Sequence, residues 1–213
     1  MKGIIFSEPM FHATIEGRKT QTRRIIKPQP ISMPISCDYA PISTHPSCDI
    51  LMGSFHYPGE DGYEFIRPRY KSGEKLYLKE PYCNEVPGYF GVAYKYYPSN
   101  VNRLPEEDTG FTVPWKNKLF MPAKYARYFI EITAVKCDRV QNISNDDCCF
   151  ESIYFLFSDG KKSSQQNGFV NGLDGVFYGT SKQAYAALFD SINGKGAWES
   201  NPYVWIYDYI LAN

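Results

Sequence analysis

The most constraining feature of this chain is a dense polar run near its start, at residues 17–24. The run carries four cations, two hydroxyls and an amide within eight positions: Gly17-Arg18-Lys19-Thr20-Gln21-Thr22-Arg23-Arg24. An unpaired cation inside a hydrophobic core is strongly unfavourable. We therefore expect the run to face solvent or an anionic, hydrogen-bonding ligand, which makes it the first candidate for a binding edge.

The residues around this run predict a helix, a glycine turn and a strand. Ser7 can cap a helix whose first turn contains Pro9, and the apolar residues that follow recur at helical spacing. Gly17 can adopt the left-handed conformation that ends such a helix. The β-branched residues and alternation at 20–26 then predict a strand, which would carry the cations along an edge.

Length and composition predict a soluble protein that folds as one well-packed domain or as a compact core with sizeable insertions. The chain is 43% apolar and 16% aromatic, which is typical of globular proteins. Its 23 basic and 23 acidic residues give a formal charge of zero. A neutral chain has no long-range field to draw it onto a polyanion, so we expect no strong nonspecific binding to duplex DNA.

Cysteine spacing and hydropathy favour a cytoplasmic location without a membrane span. The six cysteines show no CxxC pair, and no window approaches the ~18 consecutive apolar residues of a spanning helix. Cys37, His45, Cys48 and His56 lie in one irregular stretch and offer two sulfurs and two nitrogens, but their spacing matches no structural zinc pattern. We therefore expect no metal and no other cofactor.

Two stretches with little regular structure interrupt the predicted domain. Residues 27–69 are rich in proline, and residues 158–180 are rich in glycine and polar side chains, so we expect an irregular excursion and an exposed insertion that could act as a lid. Between them, alternation predicts strands at 75–80, 91–96 and 125–140. The last of these gives the strongest strand signal and is expected to be central.

The second half of the chain predicts two capped helices and a final strand. Ser144 can cap a helix and Asp147 can answer it three residues later, with Glu151 one turn beyond on the same helix. Ser181 is expected to cap a helix whose buried stripe includes Ala184, Leu188 and Ile192 and which Gly194 ends. The alternation after Pro202 predicts the final strand.

Four motifs in this order resemble a known family: the run 17–24, Ser72-Gly73-Glu74-Lys75-Leu76, Asp190-Ser191-Ile192-Asn193-Gly194-Lys195, and Asn201-Pro202-x-x-Trp205. Together they resemble the ASCH domain family of PUA-like proteins, and particularly its phage and prophage members. The resemblance covers most of the chain and is most specific at its two ends. It implies a single domain of the α+β class, mainly β, over residues 1–213. The fold would be a PUA-like β-barrel with flanking helices and a cleft suited to a nucleotide or base.

The resemblance also implies a chemistry. Some single-domain members of the family are amidohydrolases that remove an acetyl group from cytidine, and their functional Lys, Thr and Glu correspond to Lys19, Thr22 and Glu151. A threonine hydroxyl becomes nucleophilic when a neighbouring base takes its proton, and a desolvated lysine beside other cations can be that base. Glu151 would pass a proton to the leaving amine.

Several functions are consistent with these residues. In the first, the protein recognises RNA or a modified nucleoside, with Arg18, Arg23, Arg24 and Glu80 contacting the ligand and Tyr82 stacking on a base. The same site can also hydrolyse an acylated cytidine. A ribonuclease that uses the same Lys, Thr and Glu is a second alternative. A non-catalytic phage accessory or assembly protein, whose basic edge binds a protein partner, is a third.

Overall fold

The computed structural model describes most of the chain, in five ranges: residues 1–30, 66–84, 92–96, 113–157 and 167–212. The candidate metal set of Cys37, His45, Cys48 and His56 lies outside these ranges. Within them, no group of three or more His, Cys, Asp and Glu side chains is arranged to hold a metal ion. No helix in the same ranges has the length and apolar character needed to cross a membrane.

The described ranges contain more strand than helix. The strands are β1 (Lys2–Ile5), β2 (Gln21–Ile25), β3 (Lys75–Lys79), β4 (Tyr82–Cys83), β5 (Ala93–Tyr94), β6 (Phe129–Arg139), β7 (Tyr154–Leu156), β8 (Gly168–Val170) and β9 (Tyr203–Ala212). The α-helices are α1 (Glu8–Ile15), α2 (Asn145–Phe150) and α3 (Ser181–Asn193). Three short 3₁₀ turns lie at Lys118–Phe120, Ala123–Tyr125 and Val140–Asn142.

The α+β class with a majority of strand is confirmed. Five strands form one sheet in the order β1-β3-β6-β9-β2, and β4-β5 and β7-β8 form two-stranded sheets. The longest strand, β6, has the middle place, as its alternation predicted. The pairings among the described strands do not show closure into a barrel, so the PUA-like barrel stays a prediction.

The chain divides into two compact units. The first contains Met1–Gly17, Lys75–Glu131 and Leu211–Asn213, and the second contains Arg18–Glu74 and Ile132–Ile210. The organisation as a single ASCH domain stays a prediction.

In the first unit, β1 pairs with β3 in parallel and β3 pairs with the start of β6 in antiparallel orientation. Leu76 and Leu78 are buried, as the alternation of this strand predicted. Helix α1 packs Phe11 into the core, where its ring meets the rings of Tyr96 and Tyr128 edge to face. Pro9 stands at the start of α1, and Gly17 after it has a φ of 74°, as predicted. Ser7 occupies the N-cap position, but its side chain makes no capping hydrogen bond.

In the second unit, β2 pairs with β9 in antiparallel orientation, with Thr22 opposite Tyr207. The five residues from Tyr203 to Tyr207 are all buried, so both faces of this part of β9 are covered. Helix α3 packs its apolar stripe inward, and the ring of Trp198 lies edge to face on the rings of Tyr185 and Phe189.

Two details of α3 differ from the sequence prediction. Its N-cap is Thr180 rather than Ser181, because Gln183 three residues later completes a reciprocal capping box with Thr180. The Ser181 hydroxyl instead donates to Asn145 Oδ1 at 2.9 Å. Ile192 is exposed rather than part of the buried stripe, because it lies in the last turn, where the helix and the residues after it are exposed.

The expected insertion at 158–180 contains a strand that the sequence did not reveal. Strand β8 pairs with β7, and Phe169 and Tyr178 exchange backbone hydrogen bonds of 2.9 and 2.8 Å. A Cβ atom added at Gly168 would lie 2.8 Å from the backbone oxygen of Tyr178. A side chain at this position therefore requires a shift of the backbone.

We expect Gly168→Ala to lower the free energy of unfolding by about 1–3 kcal/mol through overpacking. Gly179→Ala is the matched control, because its Cβ would meet only the end of the Gln183 side chain, at 3.3 Å. Urea denaturation of both variants measures the difference. Equal losses for the two would show that the close approach at Gly168 does not limit the fold.

Candidate active site around Lys19 and Glu151

The polar run begins where the end of α2 and strand β9 meet the start of β2. The backbone N–H of Thr20 donates to Phe150 O at 3.0 Å, and the N–H of Tyr209 donates to Thr20 O at 2.9 Å. These bonds fix the backbone of Thr20, the residue directly after Lys19. The side chain of Lys19 is thereby placed beside Glu151, which is the C-cap residue directly after α2.

Lys19 is buried against Glu151. The two residues are 3% and 4% exposed, and Lys19 Nζ is in direct contact with the Glu151 carboxylate. The same amine donates to the backbone oxygen of Gln21 at 2.8 Å and lies 3.4 Å from that of Glu151. The ammonium thus has a carboxylate and a carbonyl oxygen in place of water.

Arg23 extends this ion pair into a network. Its side chain is only 2% exposed, with Nη1 at 3.4 Å from Glu151 Oε1 and Nη2 at 3.1 Å from Asp147 Oδ2. Arg23 also donates to the side chain of Gln21, whose amide nitrogen bonds Asp147 Oδ1 at 3.1 Å. We call Lys19, Gln21, Arg23, Asp147 and Glu151 the Lys19–Glu151 cluster.

The expectation that the whole run faces solvent or a ligand is wrong for Lys19 and Arg23. It rested on the high cost of burying an unpaired cation, and both cations have carboxylate partners within the protein. Those partners, Asp147 in α2 and Glu151 directly after it, lie more than 120 residues later in the chain. Arg18 is exposed and Arg24 is half-buried, so the expectation holds in part for these two.

Burial sets the protonation chemistry of the cluster. Desolvation lowers the pKa of the Lys19 amine, the charge and hydrogen bond of Glu151 oppose this shift, and Arg24 and Arg23 add to it. Burial also raises the pKa of Tyr185 well above its usual value, and the negative charge of Glu151 raises it further. The Tyr185 ring lies under the Arg23 guanidinium, 5.9 Å from Cζ to the ring centroid.

Thr22 is buried in the same strand, but alternation places it on the other face of β2 from Gln21 and Arg23. The side chains of Gln21 and Arg23 point toward Asp147 and Glu151. The structure thus brings Lys19 and Glu151 together, while Thr22 belongs to the opposite face.

Glu80 and Tyr82 lie in the first unit and are both buried. Glu80 is fully buried and accepts two hydrogen bonds from Arg127, at 2.8 and 2.7 Å. Burial raises the pKa of Glu80, and the hydrogen bonds and charge of Arg127 oppose that shift. The Tyr82 ring packs on the ring of Tyr125, with centroids 5.4 Å apart.

The predicted helix after Ser144 is confirmed, but Glu151, which was expected within it, is its C-cap residue. The reciprocal capping box of Ser144 and Asp147 is present, yet α2 ends at Phe150, and Ser152 has a φ of 76°. The following residues form β7, so the aromatic residues after Glu151 lie on an exposed strand. Asp147 was recognised only as a helix cap, whereas it also binds Arg23.

No protein-family model, no curated protein and no solved structure matches this chain. The geometry of the Lys19–Glu151 cluster and the four sequence motifs are therefore the observations that bear on function.

Proposed function

We propose that this protein is an ASCH-type, PUA-like protein that recognises RNA or a modified nucleoside and hydrolyses the acyl amide of an acylated cytidine. The observation that carries the proposal is the buried contact between the Lys19 amine and the Glu151 carboxylate. A buried amine with a lowered pKa can act as a general base near neutral pH. The ASCH-like motifs supply the substrate class.

The reaction requires a nucleophile, a base and a proton for the leaving group. The Lys19 ammonium first passes a proton to the Glu151 carboxylate that it contacts, and the neutral amine then accepts the proton of the nucleophile as the nucleophile attacks the amide carbon. The C–N bond then breaks, and the exocyclic amine of cytidine leaves with a proton passed on through Glu151. Water supplies the hydroxyl group with which the acyl group is released as a carboxylic acid. A proton relay of this kind contributes about 10²–10⁴ in rate.

The identity of the nucleophile divides the proposal into two forms. The resemblance assigns this role to Thr22, whereas the alternation of β2 favours a water molecule on the Lys19 face. Thr22→Val keeps the shape of the side chain and removes its hydroxyl. Loss of turnover in this variant supports a threonine nucleophile, and retained turnover supports water.

The test of the proposal is turnover of acetylated cytidine, supplied as the nucleoside and within a short RNA, with chromatographic detection of deacetylated cytidine. We expect the wild-type protein to release cytidine from at least one of the two. Absence of turnover on both by folded protein would overturn the catalytic proposal.

One observation favours a non-catalytic role as the second candidate. In the Lys19–Glu151 cluster, two cations are paired with two carboxylates, an arrangement that can also serve only to specify the fold. An accessory protein that binds a partner through the exposed Arg18 would then show no dependence of its activity on the Lys19 amine.

A further inference from the structure

Arg23 and Asp147 are the charged members of the Lys19–Glu151 cluster that the proposed reaction does not use. Arg23 bridges the two carboxylates, with Nη1 3.4 Å from Glu151 Oε1 and Nη2 3.1 Å from Asp147 Oδ2. The other oxygen of Glu151, Oε2, contacts the Lys19 amine. The guanidinium therefore contacts the same carboxylate that accepts the proton of Lys19.

Asp147 holds this guanidinium both directly and through Gln21. The side chain of Gln21 accepts a hydrogen bond from Arg23, and its amide nitrogen donates to Asp147 Oδ1 at 3.1 Å. The Arg23 side chain is 2% exposed. Its charge is therefore compensated by these partners rather than by water.

The charge of Arg23 by itself opposes the first step of the reaction. In that step a proton moves from Lys19 Nζ to Glu151 Oε2, and the ion pair becomes a neutral amine and a carboxylic acid. A neighbouring positive charge stabilises the ionised carboxylate, so it makes Glu151 a weaker proton acceptor. A negative charge on the same guanidinium offsets this effect, because charges beside buried groups are little screened by salt.

Asp147 can provide this negative charge. Burial raises its pKa, but the charge of Arg23 and the hydrogen bonds of Gln21 and Ser144 lower the pKa below its usual value. Asp147 is therefore ionised near neutral pH, where the reaction is expected to take place.

The other charged or titratable groups around the cluster do not supply this charge. They are Arg24 from β2, Cys148 from α2, Tyr185 from α3, Lys136 from β6 and Asp208 from β9. Arg24 is a further cation. Burial raises the pKa of Tyr185 well above its usual value and that of Cys148 to about 11, so both are neutral near pH 7. Asp208 is paired with Lys136 at 3.2 Å.

We propose that Asp147 is a positioning residue of the hydrolase: it holds Arg23, offsets its charge and so allows Glu151 to accept the proton of Lys19. The inference rests on the proposed function, because this proton transfer belongs to the proposed reaction. Asp147 thus has a second role besides capping α2.

The test replaces Asp147 with Asn, which removes the charge and keeps an oxygen for the hydrogen bonds of Arg23 and Ser144. The pKa values of Lys19 and Glu151 should fall, so the pH profile of kcat for acetylated cytidine should move by about 0.5–1 unit toward lower pH. A fall of this size in the pKa of Glu151 relative to that of Lys19 makes the neutral pair rarer. We therefore expect kcat at the optimum to fall by about 3-fold to 10-fold, with KM unchanged.

A second measurement does not depend on turnover. NMR titration of protein labelled with carbon-13 in its lysine side chains gives the pKa of Lys19, and Lys19→Arg identifies the signal by its absence. We expect this pKa to be lower by about 0.5–1 unit in Asp147→Asn, because the ammonium loses a nearby negative charge.

Asp146→Asn is the matched control, because it removes the same charge from an exposed residue in the first turn of the same helix. It should leave the pH profile and the Lys19 pKa within about 0.2 unit of the wild type. Asp147→Glu keeps the charge and should move the profile less than Asp147→Asn does. Asp147→Ser removes the same charge and takes the place of Asp147→Asn if that variant does not fold.

The results separate this inference from the proposed function. A wild-type protein that releases cytidine, with the same pH profile and Lys19 pKa in Asp147→Asn, would leave the hydrolase proposal intact and overturn the role of Asp147. Equal shifts in Asp146→Asn and Asp147→Asn would also overturn it. A Lys19 pKa that falls only in Asp147→Asn, in a protein that turns over neither substrate, would overturn the hydrolase and support the control of the ion pair by Asp147.

Discussion

Replacing Glu151 with Gln is expected to lower the free energy of unfolding by about 3–5 kcal/mol, because it leaves the Lys19 ammonium buried without its carboxylate partner. Both residues are nearly inaccessible to solvent, so water cannot solvate the Lys19 ammonium in place of the missing carboxylate. Gln has the size of Glu and still offers an oxygen that accepts a hydrogen bond. The decrease in the free energy of unfolding, measured by urea denaturation at neutral pH, therefore reports mainly the loss of the negative charge.

An exposed ion pair provides the control for this experiment. Lys136 Nζ lies 3.2 Å from Asp208 Oδ2, but the Lys136 side chain is 51% exposed, so Lys136→Met should cost no more than about 1 kcal/mol. The double variant Lys19→Met/Glu151→Gln should be less destabilised than the sum of its single variants. Equally small losses for Glu151→Gln and Lys136→Met would contradict the importance of the buried pair.

The effect of Glu151→Gln should also depend on pH. The folded-state pKa of Lys19 is below its usual value of 10.5, so between these two values the unfolded state binds more protons and stability rises with pH. Glu151 opposes the lowering of this pKa. Replacing Glu151 should therefore lower the Lys19 pKa further, so that the pH range in which stability rises with pH extends to lower values. Identical pH profiles of stability for variant and wild type would count against this linkage.

Arg127→Met is expected to lower the free energy of unfolding by about 3–5 kcal/mol, because it leaves the Glu80 carboxylate buried and unpaired. Arg127 makes both hydrogen bonds described above to this carboxylate and also donates to the backbone oxygen of Tyr96. Its guanidinium stacks on the Tyr94 ring, with Cζ 4.2 Å from the centroid.

The pH dependence of Arg127→Met has the opposite sign from that of the Lys19 pair. The pKa of Glu80 is raised above its usual value of 4.5, so stability falls as pH rises from 4.5 to the folded-state pKa. Without Arg127 that pKa rises further. The destabilisation by Arg127→Met should therefore be smaller near pH 4.5 than at neutral pH, and Glu80→Gln in the same background should remove the difference.

The sequence predicted those features that depend on neighbouring residues. The left-handed Gly17, the capping box of Ser144 and Asp147, and the alternation of β6 all follow from local backbone geometry. The shift of the α3 cap from Ser181 to Thr180 is an error of one residue within a correctly predicted helix. Local rules thus predicted which elements form and left their exact ends open.

The sequence did not predict features that depend on distant partners. Lys19 and Glu151 are separated by 132 positions, and the burial of Lys19 becomes favourable only when the fold brings the carboxylate to it. Glu80 and Arg127 form a second pair of this kind in the first unit. A cation with no partner nearby in the sequence is expected to be exposed. Its burial beside a distant carboxylate is therefore not evident before the fold is known.

The most direct test of the proposed function compares the turnover of acetylated cytidine by wild type, Lys19→Arg and Lys19→Met. Arginine keeps a positive charge beside Glu151 but does not lose its proton in proteins, so it can maintain the ion pair without acting as a base. We expect the folded Lys19→Arg and Lys19→Met variants to lose about 10²–10⁴ in turnover. Turnover by Lys19→Arg equal to that of the wild type would contradict the role of Lys19 as the base.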